Sequence, residues 1–189
     1  MSSFADLLDC PGVREAMVLR SQVGFMAIHG GSLERGTAEI ATAAADTGGA
    51  SLYAVEQPAD LRWHLPSHLI GPESSSALAA FLDHVDVVVS IHGYGREGWW
   101  ARILAGGDDR VFASSVASHL RRSLPEFDVV DDLELIPREL RGLHPMNPVN
   151  LARGGGVQLE LPPRIRGIGP NARAEATADL VDALAGLHA

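Results

Sequence analysis

Residues 86–93 read DVVVSIHG. Val87, Val88, Val89 and Ile91 place apolar, β-branched side chains on both faces of one short segment, the pattern of a strand buried on each side in the middle of a sheet. A second run, QVGFMAIHGG at 22–31, is likewise apolar, β-capable and closed by glycines, and reads as another buried strand. Between them lie TAEIATAAADTGG (37–49), a helix with Gly36 or Thr37 at its start and Gly48 at its end, the alternating strand ASLYAVE (50–56), and the amphipathic helix ESSSALAAFLDHV (73–85). Beyond residue 93 the pattern gives a strand over 101–107, a helix over 109–124, a strand near 127–130, a strand GVQLELP over 156–162 and a closing helix over 171–188. Residues 3–17 read as a short helix broken at Pro11-Gly12, LRWHLPS (61–67) as a strand that Pro66 confines to an edge or an end, and 131–155, with Pro137, Pro145 and Pro148, as irregular. Strands alternating with helices imply one α/β sheet covered on both faces. With no linker or repeat in view, the expectation is a single domain over residues 1–189.

The composition narrows the function. At 46% hydrophobic the chain is globular, and no apolar run reaches the ~18 residues of a membrane helix. The N-terminus, MSSFADLLDCPG, lacks the basic start of a signal peptide. A lone cysteine, Cys10, excludes an internal disulfide, so a reduced, cytoplasmic protein is expected. All 15 basic residues are arginine. Without lysine there is no Schiff base and no P-loop lysine. A net charge of −9 argues against a nucleic-acid partner, which requires clustered positive charge.

The two apolar strands end alike, FMAIHGG at His29 and VVVSIHG at His92. Ligands in open α/β sheets bind beyond the carboxyl ends of the strands, so if these strands are neighbours both imidazoles face one crevice. Glu34 follows His29 on a turn that Gly30 and Gly31 allow to fold back. Two neutral histidines and a carboxylate form the three-ligand set of a catalytic zinc, with the fourth position left to water. A single strand-end histidine is more often a satisfied structural residue than a ligand; two at matching ends weigh equally toward either role. In GVQLELP, Gln158 and Glu160 share one face and Val157, Leu159 and Leu161 the other. A carboxylate beside a zinc-activated water is what hydrolysis requires as general base. Alternation alone, however, favours an edge strand with Glu160 in water.

The rest of the chain carries weaker signals. GYGREG (93–98) fits the glycine fingerprint of dinucleotide binding, but that motif needs a helix opening at its glycines, and WWARILAGG follows as a further extended segment. His84 at a helix end, His119 within a helix and His188 in the tail read as structural. His64 and His68 flank a proline turn, with a structural role favoured, and His144 sits in a loop, where function concentrates. Trp63, Trp99 and Trp100 read as core or rim residues.

Taken in order, HGGSLERGTAEIA (29–41), SIHGYG (90–95) and GVQLELPPRIR (156–166) resemble the poly-γ-glutamate hydrolase family, whose best-known members are phage enzymes that depolymerise the γ-linked glutamate capsule. The likeness runs from Val23 to Arg166. It implies a three-layer α/β fold similar to zinc carboxypeptidases, a mixed twisted sheet with helices on both faces. It also implies that His29, Glu34 and His92 hold zinc and that Glu160 is the general base. The stretches His64–Ser67, Ile70–Glu73 and Asn150–Arg153 depart from the family pattern.

The expected activity is therefore zinc-dependent hydrolysis of a γ-glutamyl amide, in a small molecule or a polymer, with no nucleic-acid or membrane partner. Arg153, Arg164 and Arg166, which flank the Glu160 strand, are the candidates for holding a substrate carboxylate in a bidentate fork, with Arg35 and Arg96 as second choices. The alternatives are a zinc amidase acting on another acidic acyl compound, a nucleotide-binding module using GYGREG, and a metal-binding but inactive relative.

Overall fold

The computed structural model describes residues 3–169 and 172–187. In chain order its elements are α1 (Phe4–Leu8), β1 (Arg14–Val18), β2 (Val23–Gly31), α2 (Thr37–Gly48), β3 (Ser51–Gln57), α3 (Ser76–His84), β4 (Val87–Gly93), β5 (Arg102–Gly106), α4 (Arg110–Ser123), β6 (Asp128–Val130), β7 (Gly156–Leu161) and α5 (Ala174–Ala185). The strands form one seven-stranded sheet in the order β1-β3-β2-β4-β7-β5-β6. β3, β2, β4 and β7 run parallel, β1 is antiparallel on β3, and β5 is antiparallel on β7 and parallel to β6. The sheet is therefore mixed, and β4 lies near its centre, as its two-sided apolar run requires.

Alternation sorts the core into layers. Phe25, Ala27, Val89, Ile91, Val157, Leu159 and Leu161 pack on one face against apolar residues of α2, α4 and α5. Met26, Ile28, Tyr53, Val55 and Val88 pack on the other against Phe4 and Leu7 of α1 and Leu78 and Phe81 of α3. On that second face, beyond Val88, period-2 geometry brings Ser90 and His92 of β4 beside Gln158 and Glu160 of β7. No α-helix covers them; the segments 61–70 and 136–150, irregular apart from single 3-10 turns, line the cavity above them. A polar stripe inside a sheet that is otherwise apolar thus marks where the helical layer stops.

Three expectations are corrected. Residues 14–18 are strand β1, not the continuation of a helix. All five side chains are exposed, so no amphipathic period announces it, and main-chain pairing with β3 recruits it. Residues 61–67 form no strand. The N–H of Trp63 donates to Gln57 Oε1 and the Trp63 carbonyl accepts from Gln57 Nε2, each at 2.8 Å, so a side-chain amide replaces a strand partner. Glu160 does not stand in water on an edge. β7 lies between β4 and β5, and Glu160 is 4% exposed. GYGREG leads from β4 into a turn and then β5, without a helix, so the fingerprint's structural condition is unmet. His188 and both limits of the 171–188 helix lie outside the described residues, and α5 covers the middle of that stretch. Among the described residues no helix is long and apolar enough to cross a membrane.

Candidate active site

β2 and β4 are direct neighbours, and the rings of His29 and His92 stand 5.1 Å apart, edge to face. The pairing of β2 with β3 shifts register between Ala27 and Gly30. Such an irregularity re-aims a side chain, and here it falls on His29. The chain then turns: Gly31 takes φ +71°, and a Cβ there would fall onto the Gln57 carbonyl oxygen. At Gly30 a Cβ would lie 2.7 Å from the Cβ of Ala38. The two glycines therefore let β2 stay paired to β3 while α2 starts immediately above it. The turn closes with the Glu34 N–H donating to the His29 carbonyl (2.9 Å) and Thr37 Oγ1 donating to the Glu34 carbonyl (2.7 Å).

This turn aims the Glu34 carboxylate at both strand ends. Oε1 lies 3.1 Å from His29 Nδ1, and Oε2 lies 3.4 Å from His92 Nδ1 and accepts from the Gly93 N–H at 2.8 Å. His29 Nε2 stands 2.9 Å from the Leu65 carbonyl oxygen. A carbonyl only accepts, so Nε2 carries the hydrogen, and in the neutral ring Nδ1 is a bare lone pair aimed at a carboxylate. Two acceptors held that close require a cation between them, a proton or a metal. Without metal the proton fills that place. Burial opposes protonation of His29, yet the hydrogen bond and charge of Glu34 and the Leu65 carbonyl outweigh it and raise its pKa. Burial likewise opposes ionisation of Glu34, but the charge of His92 and the hydrogen bonds of both histidines hold its carboxyl well below the usual range.

His64, for which the sequence favours a structural role, joins this group. Its ring lies 4.9 Å from that of His29. His29, Glu34 and His64 each offer a donor atom within 4.8 Å of the others. Burial, followed by the charge of His29, lowers the pKa of His64 and favours the neutral form that a metal ligand needs. His64 is exposed on a coil segment, whereas His92 is buried on a central strand.

Glu160 is the register partner of His92 across the β4–β7 ladder. Gln158 Nε2 donates to Glu160 Oε1 at 2.8 Å, and Asn147 Nδ2 donates to Gln158 Oε1 at 2.9 Å. Burial pushes the Glu160 carboxyl up to about 7, with the charge of His92 working against that rise and the charge of Glu34 adding to it. All these groups open into one cavity of about 500 Å³, whose outer wall includes His68, Arg138, Leu143 and His144.

The three arginines chosen from sequence do not line this cavity. Arg153 precedes β7, at the opposite end of the strand from Glu160, and pairs with Asp86 at 3.2 Å. Arg164 pairs with Glu126 at 3.3 Å and lies over the Phe127 ring. Arg166 comes closest, passing under Gly93, where a Cβ would meet its Cζ at 2.6 Å. Its N–H groups donate to the carbonyls of Leu161, Arg35 and Tyr94, so it ties the strand ends together from behind the site. Arg153 is kept away because a strand six residues long separates its two ends by roughly 20 Å; Arg164 and Arg166 follow the Glu160 end but are held by Glu126 and by backbone carbonyls. Of the second choices, Arg96 pairs with Glu139 and Arg35 lies outside the cavity. Arg138, which does line it, sits in the proline-rich segment that offers no periodic signal.

Comparison with known proteins agrees with this architecture. The family profile described as poly-gamma-glutamate hydrolase matches residues 4–172. No curated protein sequence matches the chain. Among solved structures, a bacteriophage poly-gamma-glutamate hydrolase superposes with a TM-score of 0.76 at 21% identity, covering 95% of this chain and 90% of the phage protein. The zinc-free form of YndL superposes with a TM-score of 0.78 at 24% identity, covering 97% and 94%. A putative carboxypeptidase from Burkholderia mallei reaches 0.56 at 10% identity, covering 96% of this chain and 64% of that one. The match to the family profile spans nearly the whole sequence, and the fold agrees with it: the chain belongs to the poly-gamma-glutamate hydrolase family.

Proposed function

We propose that this enzyme hydrolyses γ-glutamyl amide bonds and that it does so with a zinc ion held by His29 Nδ1, the Glu34 carboxylate and His92 Nδ1. The observation that carries the reading is the convergence of both Nδ1 atoms on one carboxylate, with His29 Nε2 already committed to Leu65. Fixing one imidazole nitrogen by a backbone carbonyl is how proteins orient a metal-binding histidine. Two imidazoles and a carboxylate are the donor set of a hydrolytic zinc site. When bound, the ion supplies Lewis acidity toward the scissile carbonyl and lowers the pKa of water.

The chain's own groups do the rest. Glu160 takes the proton of the attacking water and returns it to the leaving nitrogen, an exchange best served by a pKa near the working pH. Burial raises its pKa above the ordinary carboxylate range, the direction that favours such an exchange. Gln158 occupies Oε1 of Glu160 and is itself held by Asn147, which leaves Oε2 to handle the proton. The γ-glutamyl substrate class rests on the family match.

A second ligand set, with His64 in place of His92, is favoured by the close spacing of its donor atoms. The two sets are separated by metal analysis of purified protein. The parent should carry about one zinc per chain. His92→Ala should lose most of it and His64→Ala should retain it; the reverse pattern assigns the site to His64, and no zinc in the parent rejects the metal reading. Release of glutamate from a γ-linked oligomer by the zinc-loaded parent tests the substrate class.

A further inference from the structure

We infer that Arg138 is the specificity-determining residue for the substrate's α-carboxylate, an inference that rests on the γ-glutamyl reading above. Every basic side chain outside the histidines is an arginine. Of the described residues lining the cavity, Arg138 is the sole arginine. Glu139, its neighbour in the chain and on the cavity wall, pairs with Arg96 at 2.9 Å. The Arg138 carbonyl accepts from the Arg141 N–H, but its guanidinium makes no ion pair or hydrogen bond with any described residue. A guanidinium left unpaired while the adjacent acid is neutralised by another arginine is available for an anion.

Its backbone is fixed in place. Ile136 is buried, and its carbonyl accepts from Arg141 Nε at 2.9 Å. The Leu140 N–H donates to the Pro137 carbonyl at 2.8 Å, and the Gly107 N–H to the Arg141 carbonyl at 2.8 Å. Residues 136–141 are thus strapped onto the end of β5, with Arg138 on the rim and the long side chain free to reach inward.

The charge layout assigns a direction to the substrate. Glu34 and Glu160 lie on the cavity floor beside the histidines, while the rim presents Arg138, the one guanidinium among the described lining residues, with the tilted rings of His68 and His144, 4.4 Å apart. In a γ-linked chain each residue carries its free α-carboxylate beside the amide to be cut. Directing that carboxylate to Arg138 places the amide toward Glu160 and rejects substrates in which the α-position is uncharged, because the guanidinium would then lose water without gaining a partner.

The test compares a γ-linked glutamate trimer with the same trimer carrying α-carboxamides, using zinc-loaded parent, Arg138→Gln and Arg138→Lys. On the free acid Arg138→Gln should lower kcat/KM by about tenfold or more, mainly through KM, as expected for a charge-assisted bond. Arg138→Lys should recover part of the loss, Arg138→Gln should cut the carboxamide at least as well as the parent does, and zinc content should not change. An equal loss on both substrates, or none on either, overturns the assignment. Calorimetric binding of the trimer to Glu160→Gln and to the Arg138→Gln/Glu160→Gln double variant decides Arg138 independently of turnover: weaker binding in the double variant supports it, and equal or absent binding in both rejects it. A parent that cuts no γ-glutamyl amide instead removes the proposed activity, whatever the binding shows.

Discussion

His92 on β4 and Glu160 on β7 are register partners on adjacent parallel strands, 3% and 4% exposed. A histidine that converges on the Glu34 carboxylate and the carboxylate proposed to handle the proton are thus fixed side by side by main-chain hydrogen bonds, independent of any loop. That rigidity suits a site whose groups must keep their geometry to within fractions of an ångström.

Glu160→Gln retains the shape and the acceptor for Gln158 but removes the basic oxygen. Turnover should fall by roughly 10²–10⁴-fold, with zinc content as in the parent. A variant that keeps a tenth of parental turnover, or one that loses the metal, excludes Glu160 as the general base.

Asn147→Ala should lower kcat while leaving zinc bound. Asn147 orients Gln158, and Gln158 orients Glu160, so the loss should be smaller than that of Glu160→Gln and should appear as an altered acidic limb in the pH–rate profile. If kcat falls with no change in that limb, Asn147 acts only on packing.

In the metal-free protein, the raised pKa of Glu160 sets a stability slope. The folded state keeps a proton that the unfolded chain releases above its ordinary pKa of 4.5, so this contribution is full below 4.5 and is lost as pH rises through about 7. The loss approaches roughly 3 kcal/mol. The raised pKa of His29 adds a further loss above 6.5; Glu34, whose pKa is lowered, contributes stability that disappears only on acidification below 4.5. Urea midpoints at pH 5 and pH 8 should therefore differ more for the parent than for Glu160→Gln. Equal differences would show that Glu160 titrates normally.

Gly31→Ala should destabilise the fold by about 2–4 kcal/mol, because it combines a left-handed backbone with a clash against the Gln57 carbonyl. Gly49→Ala, also left-handed at φ +63° but with open space around it, should cost only about 1 kcal/mol. Urea unfolding of both separates the clash from the backbone strain; equal costs would mean that the β2–β3 ladder yields at Gly31.

Much of this protein was legible in its sequence. Apolar runs at 23–31 and 87–93 identify buried strands because burial on both faces leaves a continuous apolar run, and the alanine-rich period of 37–48 identifies α2. The strand-end histidines, Glu34 and the Q-L-E-L acid were visible as residue types at strand ends, where α/β sheets bind ligands. Folding alone decided the rest. Strand order depends on contacts between segments far apart in sequence, so only the tertiary structure could move β7 from an expected edge to an interior position between β4 and β5 and bury Glu160. β1 and the 61–67 segment owe their conformations to hydrogen bonds with β3 and Gln57, partners that no local pattern encodes. The arginine facing the cavity is decided in the same way: Arg153 and Arg164 stand near Glu160 in the chain but point elsewhere, while Arg138 reaches the rim because a proline-rich strap folds back over β5. Local sequence dictates periodicity and turns; which charges meet depends on where the backbone carries them.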